Sequence, residues 1–294
     1  MGESLINDSL IFQYSVKVRS VMYYRTSSPQ RRSSISGRLI MAGVIALVSL
    51  ISYFGSRQEN PVTGETQYIN ITVEQEIALG LQAAPQMAAE FGGLDENASD
   101  QALVDEIGNA ILQASPAGSS PYQFDFHLLD DAETINAFAL PGGQVFITRA
   151  LYDKLQTEGE LAGVLGHEIG HVIARHSAEQ IAKAKLTEGL TGAAVIATYD
   201  PDNPASAGSA QVAALIGQLI NLKFGREDEL EADYLGVCFI NDAGYDPNEL
   251  VGVMQVLEAS QTGDRPPEFF STHPDPGNRI QRIQEAIQNI GTCP

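Results

Sequence analysis

The 294 residues, 44% of them apolar, are enough to bury a sizeable core, and one large domain with a tail fits that length better than two full domains. The formal charge of −20 is uneven: residues 1–38 carry Lys17, Arg19, Arg25, Arg31, Arg32 and Arg38 against Glu3 and Asp8, a local +4 that leaves −24 on the rest. No basic stripe remains after residue 38 to meet phosphates, which excludes nucleic acid as a partner, and the acids read as a solvated surface.

Residues 1–38 are polar, Ser-rich and basic, the composition of a disordered cytoplasmic tail, with Met22 as an alternative start. Between Arg38 and Arg57 stand 18 uncharged residues, LIMAGVIALVSLISYFGS, about the minimum for a bilayer span, so residues 39–56 are expected to form a transmembrane signal anchor. The bases lie only on its N-terminal side, which places the tail in the cytoplasm and the remainder outside it, on the periplasmic face of the inner membrane in a bacterium. A cleaved signal peptide is the competing reading, but no A-x-A-like site follows the apolar run. Arg31-Arg32 as a twin-arginine export signal is a third.

Residues 57–71 are expected to be a linker, turn-rich over Asn60–Gln67. Two helices follow, Thr72 to about Phe91 and Asp100 to about Gln113, separated by Gly92-Gly93 and closed by the Ser/Pro/Gly run 115–121. Tyr122–Leu129 alternates as a strand; its His127 has no companion at ligand spacing and reads as structural. Asn136–Leu140 and Gln144–Thr148 are two short strands around Pro141-Gly142-Gly143, which suit a type II turn. An exposed strand here could accept an extended peptide by β-augmentation; geometry alone slightly favours a plain supporting hairpin.

The densest chemistry lies in Leu161–Ser177, LAGVLGHEIGHVIARHS. Thr157-x-x-Glu160 has the form of a capping box, and Leu161, Val164, Leu165, Ile169, Val172 and Ile173 form one apolar stripe, so this stretch should be helical. On a helix His167 and His171 lie one turn apart on one face, and both imidazoles can point at a single zinc ion. Glu168, offset from that face, is placed to take a proton from a water. Gly163, Gly166, Gly170 and Ala174 gather near the histidines. Each mid-helix Gly costs about 1 kcal/mol relative to Ala, which another backbone packed closely beside the metal would offset. The plain alternative is a buried helix that happens to carry two histidines.

Leu186–Tyr199 and Ala207–Leu222 are Ala/Gly-rich and apolar, split by Asp200-Pro-Asp-Asn-Pro204. Each is short for a second span, so they read as a helical hairpin packed over the site, with the bilayer within reach. Helices are expected over Arg226–Asn241, Pro247–Ser260 and a last segment with Ile280, Ile283, Ile287 and Ile290 on one face. Cys238 and Cys293 fit no metal or redox spacing; they pair outside the cytoplasm, or Cys238 is a small core residue.

A catalytic zinc needs a third protein ligand. The H-E-x-x-H-x-x-G-x-x-H extension fails, with Ala174 and Ser177 at its last two positions. The run REDELEAD, 226–233, offers acids on a helix. Glu229 and Asp233 share a face at i,i+4, so that Glu229 could bind the ion while Asp233 orients a ligand histidine; spacing leaves Glu227 and Glu231 open, and a solvated acidic face is the plain alternative.

HEIGHVIARHS (167–177), Glu229-x-x-Ala232-Asp233, NAFALPGGQVFIT (136–148) and His273-Pro274 together resemble the zinc metallopeptidase family that contains the CAAX prenyl endopeptidases, the heat-shock protease HtpX and the membrane and periplasmic quality-control peptidases. The resemblance spans about residues 68 to 290. It implies an α+β, mainly helical zincin-type domain over 72–294 with a small antiparallel sheet. It also implies one zinc per chain held by His167, His171 and Glu229, with Glu168 as general base, and a substrate cleft along Asn136, Ala137, Phe138, Ala139 and Leu140. Asp233 keeps the orienting role that its spacing allows; the histidine matching His273 shields or adjusts the zinc in some members of the family, which implies a regulatory role here, and His176 matches a shared residue that is not a ligand. The chain looks most like the short, singly anchored quality-control type. The expected activity is endopeptidase cleavage of unfolded or misassembled membrane and envelope proteins. The rival is a membrane-tethered chaperone or adaptor that binds such clients with little cutting. Prenyl-protein processing is disfavoured, because the site should face away from the cytoplasm and a multi-span chamber is missing.

Overall fold

The computed structural model describes residues 35–198, 224–261, 266–274 and 277–294. Helix α1, Ile35–Gly55, contains the anchor, and its window Gly37–Gly55 is the one stretch among the described residues long and apolar enough to cross a membrane. Its large side chains, including Leu39, Ile40, Leu47 and Ile51, are exposed, as a lipid-facing helix requires. The basic tail expected at 1–38 lies almost wholly outside the described residues.

The stretch expected as a linker is instead folded. Strands β1 (Arg57–Glu59) and β2 (Thr66–Tyr68) pair antiparallel. The turn is closed by Asn60, whose Oδ1 accepts from the backbone N–H groups of Val62 and Thr63 at 2.9 and 3.1 Å. Turn-forming polar residues here both reverse the chain and reach the domain, which composition alone does not distinguish from a spacer.

Helix α2 (Val73–Glu90) starts at a full capping box between Thr72 and Gln75, and α3 (Ala98–Ala114) at the Asn97 side chain. Strands β3 (Asp125–Leu129), β4 (Ala137–Ala139) and β5 (Gln144–Thr148) form a sheet in the order β3-β5-β4. The β4–β5 pair is the expected antiparallel hairpin; β3 runs parallel to β5, so the sheet is mixed. Side-chain alternation has the same period in either direction, so strand polarity was not readable from it. Gly142 sits at the third position of the Leu140–Gly143 turn with φ +87°, and a Cβ there would collide with Ile77 of α2.

After the short α4 (Arg149–Tyr152), helix α5 (Glu158–Ile173) runs through the core, with all but its first residue buried. Thr157 accepts from the Glu160 N–H at 3.0 Å, but the Glu160 carboxylate accepts from Gln156 rather than closing the box. Helix α6 (His176–Thr198) follows a single left-handed residue, Arg175, φ 60°. It packs along α1, not over the site as expected; the partner segment expected at 207–222 lies outside the described residues. Helices α7 (Arg226–Asp242), α8 (Glu249–Ala259), α9 (Phe269–Thr272) and α10 (Arg279–Gln288) complete the domain around α5. Cys238 on α7 is disulfide-bonded to Cys293, which pins the C-terminal segment to that helix.

The glycines of α5 receive their neighbour as anticipated. A Cβ on Gly170 would stand 2.9 Å from the Ala232 carbonyl oxygen of α7, and one on Gly163 3.3 Å from Leu250 Cα of α8. From the other side, a Cβ on Gly236 would be 3.1 Å from the His167 nitrogen. The two backbones therefore meet at the level of the histidines.

Candidate metal centre

Helix α5 turns His167 and His171 inward, and their Nε2 atoms lie 3.0 Å apart, aimed at one point. The close α5–α7 contact brings Glu229 to the same point, with Oε2 3.6 Å from His167 Nε2 and Oε1 3.5 Å from His171 Nε2. His273, at the end of α9, joins them: its Nδ1 is 3.1 Å from Glu229 Oε1 and 3.4 Å from His167 Nε2. One donor atom from each of these four buried residues lies within 4.8 Å of the others. Of the other acids on α7, Glu227 is exposed and Glu231 bonds elsewhere, so the choice among the three is made by which face the helix presents to α5.

The donor set and its unmet valences fit zinc. Imidazole and carboxylate donors converging at hydrogen-bonding distances of one another suit that ion. His273 Nε2 and both oxygens of Glu168 are buried without a hydrogen-bond partner, and each buried orphan of this kind costs about 1–3 kcal/mol unless something meets it.

The other ring nitrogen of each helix histidine is also held. His167 Nδ1 faces Asp233 Oδ1 at 2.9 Å, one turn along α7 from Glu229. His171 Nδ1 faces His176 Nδ1 at 2.8 Å, and His176 Nε2 in turn faces Glu231 Oε2 at 3.2 Å. Phe224 stacks on the His171 ring at 4.0 Å and Phe269 on the His273 ring at 4.4 Å, fixing both planes. Such outer partners set the tautomer and direction of a ligand histidine.

Arg279, at the start of α10, was not singled out by sequence reasoning. Its Nε and Nη2 donate to the two oxygens of Asp233 at 2.6 and 2.8 Å, and Nη1 stands 3.2 Å from Glu229 Oε2. A signal existed: Arg279 occupies the position four before Ile283 on the Ile-rich face, where a charge needs a buried partner.

Burial would raise the Asp233 carboxyl, but the Arg279 guanidinium more than offsets it and holds the group at about 2. Glu229 is likewise lowered, because His273 and Arg279 outweigh its desolvation. Glu168 goes the other way: burial raises it despite the nearby histidines, which leaves it a stronger base than an exposed glutamate. Burial, with the neighbouring cations, pushes His171 well down, so it stays neutral and able to ligate. His273 is raised: burial opposes its charge, but Glu229 and Glu168 prevail.

Strand β4 is an edge strand of the mixed sheet and packs against α5, so it is not the exposed strand that β-augmentation was expected to need. Asn136, Ala137, Phe138, Ala139 and Leu140 are all buried, and Asn136 Oδ1 has no partner. His127 is apart from the cluster, facing Gln144 at 3.0 Å and stacking on Phe146, as its structural reading required.

A family profile described as Peptidase family M48 matches residues 98–287. Among curated proteins, the mitochondrial metalloendopeptidase OMA1 of Schizosaccharomyces pombe is 30% identical over 283 residues, covering 91% of this chain and 77% of that one. The beta-barrel assembly-enhancing protease of Escherichia coli K12 is 29% identical over 262 residues, and that of Yersinia pestis 31% over 245. These cover 85% and 80% of this chain but 51% and 48% of theirs, so the chain spans about half the length of those bacterial relatives.

Proposed function

The chain belongs to peptidase family M48, the zinc metallopeptidases, and from that premise we propose that it cleaves unfolded or misassembled membrane and envelope proteins on the extracytoplasmic side of the membrane that α1 enters. The observation that carries this reading is the convergence of His167, His171 and Glu229 on one point with Glu168 alongside, its oxygens without a hydrogen bond and Oε1 3.6 Å from His273 Nε2. In this reading those three hold the zinc. When bound, that ion supplies a Lewis acid that activates water and polarises the scissile carbonyl. Glu168 takes the proton of the attacking water on a carboxylate oxygen and returns it to the leaving nitrogen; its raised proton affinity suits both halves of that task.

Asp233, held by Arg279, and His176, held by Glu231, orient His167 and His171. Edge strand β4 binds the substrate as an added strand, with main-chain pairing that reads little sequence. His273 adds a fourth donor where an active zinc needs an open position, which supports a role in shielding the metal until substrate displaces it. The extracytoplasmic placement is supported by the one-sided basic flank of α1 and by the Cys238–Cys293 disulfide, which needs an oxidising compartment. The assignment divides the chain into a basic tail, the anchor, the β1–β2 hairpin and the peptidase domain from residue 72.

Glu168→Gln tests the assignment. The variant should bind one zinc per chain and leave unfolded casein intact, while the parent cleaves it and stops when a chelator is added. Chelator-sensitive cleavage by Glu168→Gln would refute the role of Glu168, and casein binding without cleavage by the parent would favour the chaperone reading.

A further inference from the structure

The site accounts for α5 and α7 but not for α6, which starts beside His171 and departs along the anchor. Glu179 accepts from the Tyr68 N–H at 3.1 Å, and Tyr68 stacks on Tyr53, near the outer end of α1. Farther along α6, Gly189 lies so close to Ser49 of α1 that a Cβ would collide with its hydroxyl. Rising numbers on α6 thus meet falling numbers on α1, and the two helices are antiparallel.

That register sets the depth of α6. Gly189 is level with Ser49, already inside the membrane-length window Gly37–Gly55. At about 1.5 Å per residue, the helix end at Thr198 reaches roughly the level of Ile40. From Gly189 to Tyr199 the sequence GLTGAAVIATY has no charge, whereas the preceding turns contain Lys183, Lys185 and Glu188. By the same register Lys185 stands level with about Tyr53 and Glu188 with about Leu50, in the outermost turns of the window, and the uncharged stretch begins just below them.

The packing of the pair is that of membrane helices. Small residues are inside: Ala42 and Ala193 are buried, and Gly189 and Ala193 are spaced i,i+4. Large apolar residues are outside, with Leu47, Val48 and Ile51 of α1 and Leu190 of α6 exposed. Water would invert that order, since the hydrophobic effect would bury the large residues first. Ser49 also donates to the Ile45 carbonyl, so its own hydroxyl is satisfied within the helix at that depth.

We propose that α6 from Gly189 onward lies in the bilayer against α1, so that the protein meets lipid acyl chains through an antiparallel helix pair continuous with the metal site. The proposal rests on α1 spanning the membrane, and it specifies a bilayer, not another protein, as what covers the exposed apolar face. His176, the first residue of α6, lies against His171, so the helix pair is joined directly to the metal site. The peptidase cleft is thereby held against the membrane surface at two points.

The chain has no tryptophan, which makes single-Trp reporters clean. The full chain carrying Leu47→Trp, Leu190→Trp or Leu94→Trp would be reconstituted in phosphatidylcholine vesicles with or without lipid dibrominated in the upper acyl chain. All three sites are exposed, Leu94 on the domain far from α1 in sequence. The expected result is comparable quenching, severalfold above the Leu94→Trp level, at Leu47→Trp and Leu190→Trp. Quenching at Leu47→Trp with Leu190→Trp no higher than Leu94→Trp overturns the proposal and leaves the single anchor standing. No quenching at Leu47→Trp overturns both.

Discussion

Gly170 of α5 faces the Ala232 carbonyl of α7 with no room for a side chain: a Cβ would stand 2.9 Å from that oxygen and 3.2 Å from the Ala232 Cα. Backbone cannot swing aside as a side-chain tip can, so any larger residue must push the helices apart. Glu229 and Asp233 are on the helix that would move. Gly170→Val should cost about 1–3 kcal/mol of stability and weaken zinc binding more than a surface change of equal cost. Thermal unfolding together with zinc titration checks this; unchanged zinc affinity would show that α7 is not positioned by the notch.

The outer partners of the histidines predict a graded series. Asp233→Ala removes the acceptor for His167 Nδ1 and leaves Arg279 facing a lost carboxylate, so zinc affinity should fall about 10–100-fold, as for other ligand-orienting carboxylates. Arg279→Met should also weaken zinc binding, through Asp233 and Glu229 together. Competition with a fluorescent chelator measures both, and wild-type affinity in Asp233→Ala would remove it from the site.

Asp95 supplies a pH test away from the metal. The Arg149 guanidinium, donating at 2.9 Å, holds the Asp95 carboxyl below its usual 3.8. A carboxylate lowered in the folded state stabilises fully above its unfolded pKa, and loses that contribution as pH falls through the folded value. Asp95→Asn should therefore melt below the parent at pH 6, with the difference shrinking as the pH is lowered through 3.8. A difference independent of pH would assign Asp95 a packing role instead.

The Cys238–Cys293 bond closes a 55-residue separation and anchors the C-terminal segment to α7. Replacing both cysteines with alanine should lower stability by about 2–4 kcal/mol, and reductant should lower the melting temperature of the parent but not of the variant. Equal sensitivity of both to reductant would contradict a bond formed in solution.

Local order along the chain was largely legible before the fold was known. Periodicity and the residues Thr72 and Thr157 mark where helices begin, the Pro141-Gly142 turn marks the β4–β5 hairpin, and an i,i+4 pair of histidines on a helix states its own geometry, because each depends on residues within a few positions of one another. The glycines of α5 even announced that a second backbone must approach. Tertiary structure alone decided which backbone that was; spacing left Glu227, Glu229 and Glu231 open, the resemblance singled out Glu229, and the α5–α7 contact is what turns it toward the histidines. It also decided that β3 runs parallel to β5, that Arg279 clamps Asp233 and Glu229, and that residues 57–68 tie the anchor to the end of α5 through Asn60 and Gln67. These are contacts across 19 to more than 100 residues. No local periodicity encodes such separations, because the pairing is set by how whole faces pack and by which buried charges must find each other once they do.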